Sequence, residues 1–373
     1  MFGFDIKPNF EHLKGVILRK KINCKIPMIE AVNDAIVYET IVGKKFIRET
    51  KYAWIYFPKV KKREELEKIK YNLNIYMNFW LNMGYDYIGY SFYAPYQLPK
   101  DVGNKSTIGE STRSWTTSIV NREIKNMDDL ELYPWPKKED LNLFPLEYIA
   151  ENIHEGMKII VCVAGPMEIV RCIMDLDLFF IACVENPEFV KTLINKCMEY
   201  NIWAIEAVLS YDQVGAIWLF DDIAYNASTV ISPKNLREYF FPFYEKISQM
   251  IKSKNLPFLF HSCGNIENIM DELIYDIKID ARHAFQDIIM PIEDAYNLYK
   301  NKITLLGGLD IDFIVKQSPE MIKVRTRKIL NTCGYDGSYC FGTGNSICDY
   351  IPLNNYLAMV EEWLLWNKEN FSA

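Results

Sequence analysis

The sequence predicts an α/β fold, a (β/α)8 TIM barrel carrying an inserted lid segment after strand 2. Three observations lead there. Eight short apolar runs alternate with stretches of helical pattern. Nearly all of the runs are apolar on both faces, as strands of a covered parallel sheet are. The chain has 373 residues, half of them apolar, which suits a generous barrel read as one domain over 1–373. The main competitor is an open doubly wound sheet. No GxGxxG follows the first run, so its usual dinucleotide-binding version is disfavoured.

The runs, in order, are IPMIEAV (26–32), YDYIGYSF (85–92), KIIVCVAG (158–165), VGAIWLF (214–220), LPFLFH (256–261), IDARHAF (279–285), KITLLGG (302–308) and SYCFGTG (338–344). A helix is expected from Pro187 through Tyr211. Another opens at SPKNLR, with Ser232 as N-cap and a proline at the first position, and a third runs over 319–330. An insertion over about 92–146 separates the second and third runs. Its segment ESTRSWTTSIVNREI alternates as a hairpin or small sheet does, and it is expected to lid the barrel mouth.

Composition excludes several classes. The net charge is −7, so there is no electrostatic footprint for nucleic acid. The basic run Lys59 to Lys70 is balanced by glutamates and reads as a solvated helix face. No stretch of about 18 apolar residues predicts a membrane span. The start, MFGFDIKPNFEHLKG, carries acids and lacks the apolar region of a signal peptide. Nine scattered cysteines, an odd number, fit reduced thiols, so a cytoplasmic protein is expected. Aromatic residues make up 14% of the chain, which suits a pocket for a flat ligand and an ordinary core alike.

In a barrel the chemistry sits where strands end and βα loops begin. Polar groups stand at nearly every such end: Glu30, Tyr90 with Ser91, Glu168, Asp221 with Asp222, His261 with Cys263, His283, Asp310 and Asn345. His261 and Cys263 are the sharpest pair. At spacing i, i+2 on a strand their side chains point the same way, and imidazole nitrogen and thiolate hold zinc at about 2.0–2.3 Å. A core histidine beside an inert thiol would show the same spacing. A third ligand must come from elsewhere, and Cys340, Cys348, Asp221, Asp222 and Glu30 are the candidates. Adjacent on a strand, Asp221 and Asp222 point to opposite faces, so one of them faces the pocket, as a metal ligand, a histidine partner or a general base. His283 reads as a group behind the ligands, a substrate contact or a satisfied core histidine. The loop GTGNS (342–346) offers backbone N–H groups to an anion.

Four segments together resemble the uroporphyrinogen decarboxylase superfamily, in particular its cobalamin-dependent methyltransferases. They are WLFDDIAYNASTVISPKNLREYFFPFYEKI (218–247), FLFHSCGNIENIMDELI (258–274), ITLLGGLDI (303–311) and GTGNSICDYIPLNNYLAMVEE (342–362). The resemblance implies the same barrel. It also implies methyl transfer between a corrinoid, supplied by a corrinoid-binding partner protein, and a small-molecule methyl donor or acceptor. In thiol-methylating members zinc is bound by a His-x-Cys pair, matched here by His261 and Cys263, and by a later cysteine. That cysteine falls near Asn345, a departure from the pattern, with Cys348 three residues on and Cys340 five before.

The implied assignment is His261, Cys263 and Cys348 on the metal, with Asp221, Asp222 and His283 in catalysis. Glu30, Tyr90, Tyr225, Gly344 and Asn345 line the substrate or cofactor site. Dimers are frequent in the family, so a homodimer is expected. The alternatives are a decarboxylase and a non-catalytic tetrapyrrole- or corrinoid-binding barrel. Decarboxylation of the tetrapyrrole needs an arginine-rich segment after the first strand, and no arginine lies between Pro27 and Lys45. Arg113, Arg171 and Arg282 are the cations left for a decarboxylase.

Overall fold

A computed structural model describes residues 6–31, 34–47, 62–91, 96 and 124–371. Seven parallel strands form one sheet in sequential order: β1 Tyr87–Ser91, β2 Lys158–Ala164, β3 Val214–Phe220, β4 Phe258–His261, β5 Ala281–His283, β6 Thr304–Leu306 and β7 Tyr339–Cys340. Each lies within one of the predicted runs. Helices connect them, so every strand runs the same way and all the carboxyl ends gather on one side. This is the arrangement of a TIM-barrel-like α/β fold.

The first expected strand is the exception. Residues 26–31 lie beside β7, where Met28 bridges Phe341 in parallel. The Ile29 N–H donates to the Phe341 carbonyl (2.8 Å) and the Phe341 N–H to the Pro27 carbonyl (2.9 Å). Toward β1 a side chain does the work of a ladder. The Tyr87 hydroxyl accepts from the Glu30 N–H at 2.7 Å and donates to the Glu30 carbonyl at 2.6 Å. One phenol thus satisfies both backbone groups of a buried residue that a neighbouring strand would otherwise pair.

The helices follow their start signals. Asn186 caps Pro187–Val208, Ser232 accepts from the Asn235 N–H before the helical stretch that runs to Lys252, and Ser318 caps Pro319–Cys333. Most of the expected lid insertion, 92–95 and 97–123, lies outside the described residues. The described part, 96 and 124–146, contains the helix Met127–Leu132, a 3₁₀ turn at Lys138–Asp140 and the start of the helix Phe144–Asn152, and no strand. Among the described residues no helix is long and apolar enough to cross a membrane.

Candidate metal centre

The register decides which side chains share a face. Cys162 pairs with Trp218, Phe220 with His261, and His261 with His283. In a parallel sheet paired residues point the same way, so these groups share one side. Tyr90 pairs with Val161, and Val161 with Ile217, which puts Tyr90 on the other face. Arg282 stands next to His283 on β5 and therefore points away from it.

Pairing continues past the strand ends and fixes the loops. The Asp221 N–H donates to the His261 carbonyl (2.9 Å), and the Ser262 N–H to the His283 carbonyl (2.8 Å). Beyond Cys263 the chain turns at Gly264, whose φ is +84°. A Cβ there would lie 2.4 Å from the Ala224 carbonyl carbon, so this close approach needs glycine.

These constraints bring three donors together. His261 Nε2 lies 3.7 Å from Cys263 Sγ and 3.5 Å from Asp222 Oδ1. The ligand atoms of Asp222, His261 and Cys263 all lie within 4.8 Å of one another, the one such group among the described residues. A tetrahedral zinc with nitrogen and oxygen at about 2.0–2.1 Å and sulfur at about 2.3 Å separates its donors by roughly 3.3–3.7 Å. The two measured separations fit. Asp222 is fixed by the Cys263 N–H, which donates to its Oδ1 at 2.8 Å. His261 is buried, while Asp222 and Cys263 are half-buried, so the cluster keeps an open side.

Burial opposes charge on His261, yet Asp222 and Cys263 override it and raise its pKa to about 10. Burial likewise opposes charge on Asp222, but the hydrogen bonds from His261 and the Cys263 N–H hold it well below the usual carboxylate range. The imidazole thus holds a proton beside the carboxylate, and a metal ion bound there would have to displace it.

The remaining predicted residues fall in several places. His283 is buried behind the cluster, its Nδ1 2.7 Å from His261 Nδ1. Asn345 borders it, its Nδ2 3.2 Å from Cys263 Sγ. Cys348 lies outside the donor group, its thiol 3.5 Å from the Ser346 carbonyl. Cys340 is buried in β7, and burial pushes its thiol well up. Asp221 is fully buried and accepts from the Tyr244 hydroxyl and the Glu168 N–H, so it braces the loops rather than joining the donors. Burial raises its pKa to about 8.

Glu30 sits beneath the loop on Thr343, and burial raises its pKa to about 8. Tyr225 is 66% exposed. Three of the N–H groups of GTGNS, the loop expected to face an anion, are in use within the protein. Thr343 donates to Glu30, Gly344 to the Leu309 carbonyl, and Ser346 to Asn345 Oδ1.

A cavity of about 660 Å³ adjoins the cluster at Asn345, with Phe285, Asp310, Phe313 and Cys348 in its wall. Its one cationic lining residue among those described, Lys316, is paired to Asp312. Arg282 is held by Glu267 at 2.5 Å and lies over Phe285. Arg171 is bound to the Asp222 carbonyl at 2.8 Å and lies 3.4 Å from Glu168. Arg113 lies outside the described residues. The structure also brings in Thr343 and Phe220, which the sequence reading did not single out, and Gly307, which it placed at the end of the seventh run. Thr343 lies inside the quoted GTGNS loop and Gly307 in a Gly-Gly pair at a strand end, and those were the available signals.

A TIM-barrel-like α/β fold thus brings three potential metal ligands together near the carboxyl ends of its strands. Its sequence matches the family model of uroporphyrinogen decarboxylase (URO-D) over residues 75–363, and the chain belongs to that family. Two relatives are methylcobamide:CoM methyltransferases MtbA. The one from Methanosarcina acetivorans is 25% identical over 253 residues, and the one from Methanosarcina mazei 23% over 256. Each match covers 65% of this chain and 70% of the relative. A solved methyltransferase from Methanosarcina mazei shares the fold, with a TM-score of 0.70 at 15% identity, over 96% of this chain and 99% of that one.

Proposed function

We propose that this chain is a zinc-dependent methyltransferase. It moves a methyl group between a corrinoid, carried by a separate protein, and a small-molecule donor or acceptor, with zinc held by His261, Cys263 and Asp222. The observation that carries the reading is the spacing of those three donors, with an open side beside a cavity. The two relatives named as methylcobamide:CoM methyltransferases support it.

Zinc bound there supplies Lewis acidity, which makes a thiol acidic or polarises the oxygen of a methyl ether. The chain's own residues do the rest. The Cys263 N–H orients Asp222, and Arg171 holds the Asp222 carbonyl, so the carboxylate keeps its aim. The cavity beside Asn345 receives the small molecule and holds it against the cluster, the kind of positioning that supplies much of an enzyme's acceleration. The open side admits the corrinoid protein, with exposed Tyr225 on its approach. Decarboxylation is less well supported, because Arg282 is paired away from the site and Lys316 is already neutralised.

The test is elemental analysis of reduced, purified protein. About one zinc per chain is expected in the wild type and a large loss in Cys263→Ser. Methyl transfer from methylcobalamin to a small thiol, or from a methyl ether to reduced cobalamin, should vanish in His261→Ala. Protein that neither contains nor takes up zinc would sink the reading. CO2 release from an added carboxylic acid would favour the decarboxylase, and ring binding without turnover the carrier.

A further inference from the structure

We propose that His283 is a positioning residue that locks His261 in the tautomer with a free Nε2 lone pair, and that the loop Thr343–Asn345 steadies both His261 and Cys263. This rests on the metal reading above and extends it to residues that touch no cation.

The argument starts from a carbonyl. The Thr343 C=O can only accept, and it lies 3.1 Å from His283 Nε2, so that nitrogen carries the hydrogen. A neutral imidazole has one N–H, which leaves a lone pair on His283 Nδ1. That atom is 2.7 Å from His261 Nδ1, which is therefore the donor. Once His261 is neutral, as metal binding requires, its lone pair is therefore on Nε2, the atom that faces Cys263 and Asp222. Metal-bound histidines commonly donate their second N–H straight to a carboxylate, carbonyl or water. Here a second imidazole stands between the ligand and its carbonyl.

The surroundings leave neither ring free to turn. Phe220 stacks on His261, centroids 4.6 Å apart at 25°, and Trp218 meets His283 edge-on at 5.4 Å. Gly307 has φ +79°, and a Cβ there would sit 2.0 Å from the Thr343 oxygen and 3.0 Å from His283 Nε2. Glycine is what lets that carbonyl and that ring meet. Glu30 anchors the loop from beneath, accepting from the Thr343 N–H at 3.3 Å and from its hydroxyl. Two residues on, the Asn345 amide donates to Cys263 Sγ at 3.2 Å. One loop thus steadies the sulfur directly and the imidazole through His283.

The chain has four histidines, which makes the tautomer readable by long-range ¹H–¹⁵N spectra of ¹⁵N-histidine protein. In the metal-free wild type His283 should be protonated at Nε2 and bare at Nδ1, and the opposite tautomer overturns the proposal. Zinc titration against a competing chelator gives the second arm. His283→Phe should weaken zinc about 10- to 100-fold with an unchanged circular dichroism spectrum. His283→Asn keeps an acceptor and should recover most of that loss. Equal affinity in the wild type and His283→Phe overturns the positioning role. If His283→Phe does not fold, the wild-type spectrum decides. A wild type that binds neither zinc nor cobalt(II) overturns the metal reading instead, and the tautomer of His283 still stands or falls by its own spectrum.

Discussion

Two regions of this molecule bury polar groups to opposite ends. Beside β1, Tyr38, Tyr76, Phe79, Trp80, Tyr85 and Tyr87 pack ring against ring, for instance Tyr38 on Tyr76 at 4.9 Å and Trp80 on Tyr85 at 4.9 Å. Three of their hydroxyls are used locally. Tyr87 serves both backbone groups of Glu30, Tyr76 donates to the Gly89 carbonyl, and Tyr85 meets Tyr356 at 2.7 Å. At the ends of β4 and β5 the hydrogen bonds also run from group to group, from Thr343 through His283 to His261. That path ends on donor atoms with an open side. The lesson is that a buried polar network supports the fold where it closes on itself and offers chemistry where it stops short.

The sharpest way to break this contrast is to mutate each region and read both properties. Trp80→Ala removes a fully buried indole and should cost about 3–5 kcal/mol of stability, read as a lower denaturant midpoint, with zinc affinity retained. His261→Ala should weaken zinc by more than about 100-fold, beyond the range of outer contacts, with a far smaller change in the midpoint. If the first variant loses zinc, or the second loses as much stability as the first, the division between the regions is wrong.

Smaller effects sharpen it. Asn345→Ala removes the amide from the Cys263 sulfur and should weaken zinc about 10-fold in the same chelator competition, since a hydrogen bond to a charged group contributes about 1.5–3 kcal/mol. Glu30→Gln tests the point where the two regions join. Burial raises the Glu30 pKa from 4.5 to about 8, so between those values the folded state binds the extra proton. Stability supplied by the protonated form is complete below about pH 4.5 and lost as pH rises through about 8. The melting temperature of the wild type should therefore fall across that window more steeply than that of Glu30→Gln. Parallel curves would show that Glu30 does not titrate in this way.

Much of the fold was legible because a covered parallel strand leaves a local mark, a short run that is apolar on both faces. Seven of those runs hold the strands. The run 26–32 failed as a full strand because its neighbour's side chain, Tyr87, took over the pairing at Glu30, and nothing within 26–32 signals that. Strand alternation predicts that His261 and Cys263 point the same way, and their ligand atoms do lie close together, although β4 ends at His261 and Cys263 sits beyond it. Alternation likewise separates Asp221 from Asp222 without saying which of the two joins the donors. Two N–H groups of GTGNS, expected to face an anion, are instead taken up by Glu30 and Leu309, partners distant in sequence.

By itself, the sequence determined the strand–helix alternation, the family and the i, i+2 pair, because each depends on neighbours along the chain. Tertiary structure alone decided that Asp222 joins the pair while Cys348 does not, that Arg282 turns outward to Glu267, and which nitrogen of His261 faces the other donors. Those outcomes depend on register and on close approaches between strands far apart in sequence, where a shift of one residue would send every side chain to the other face.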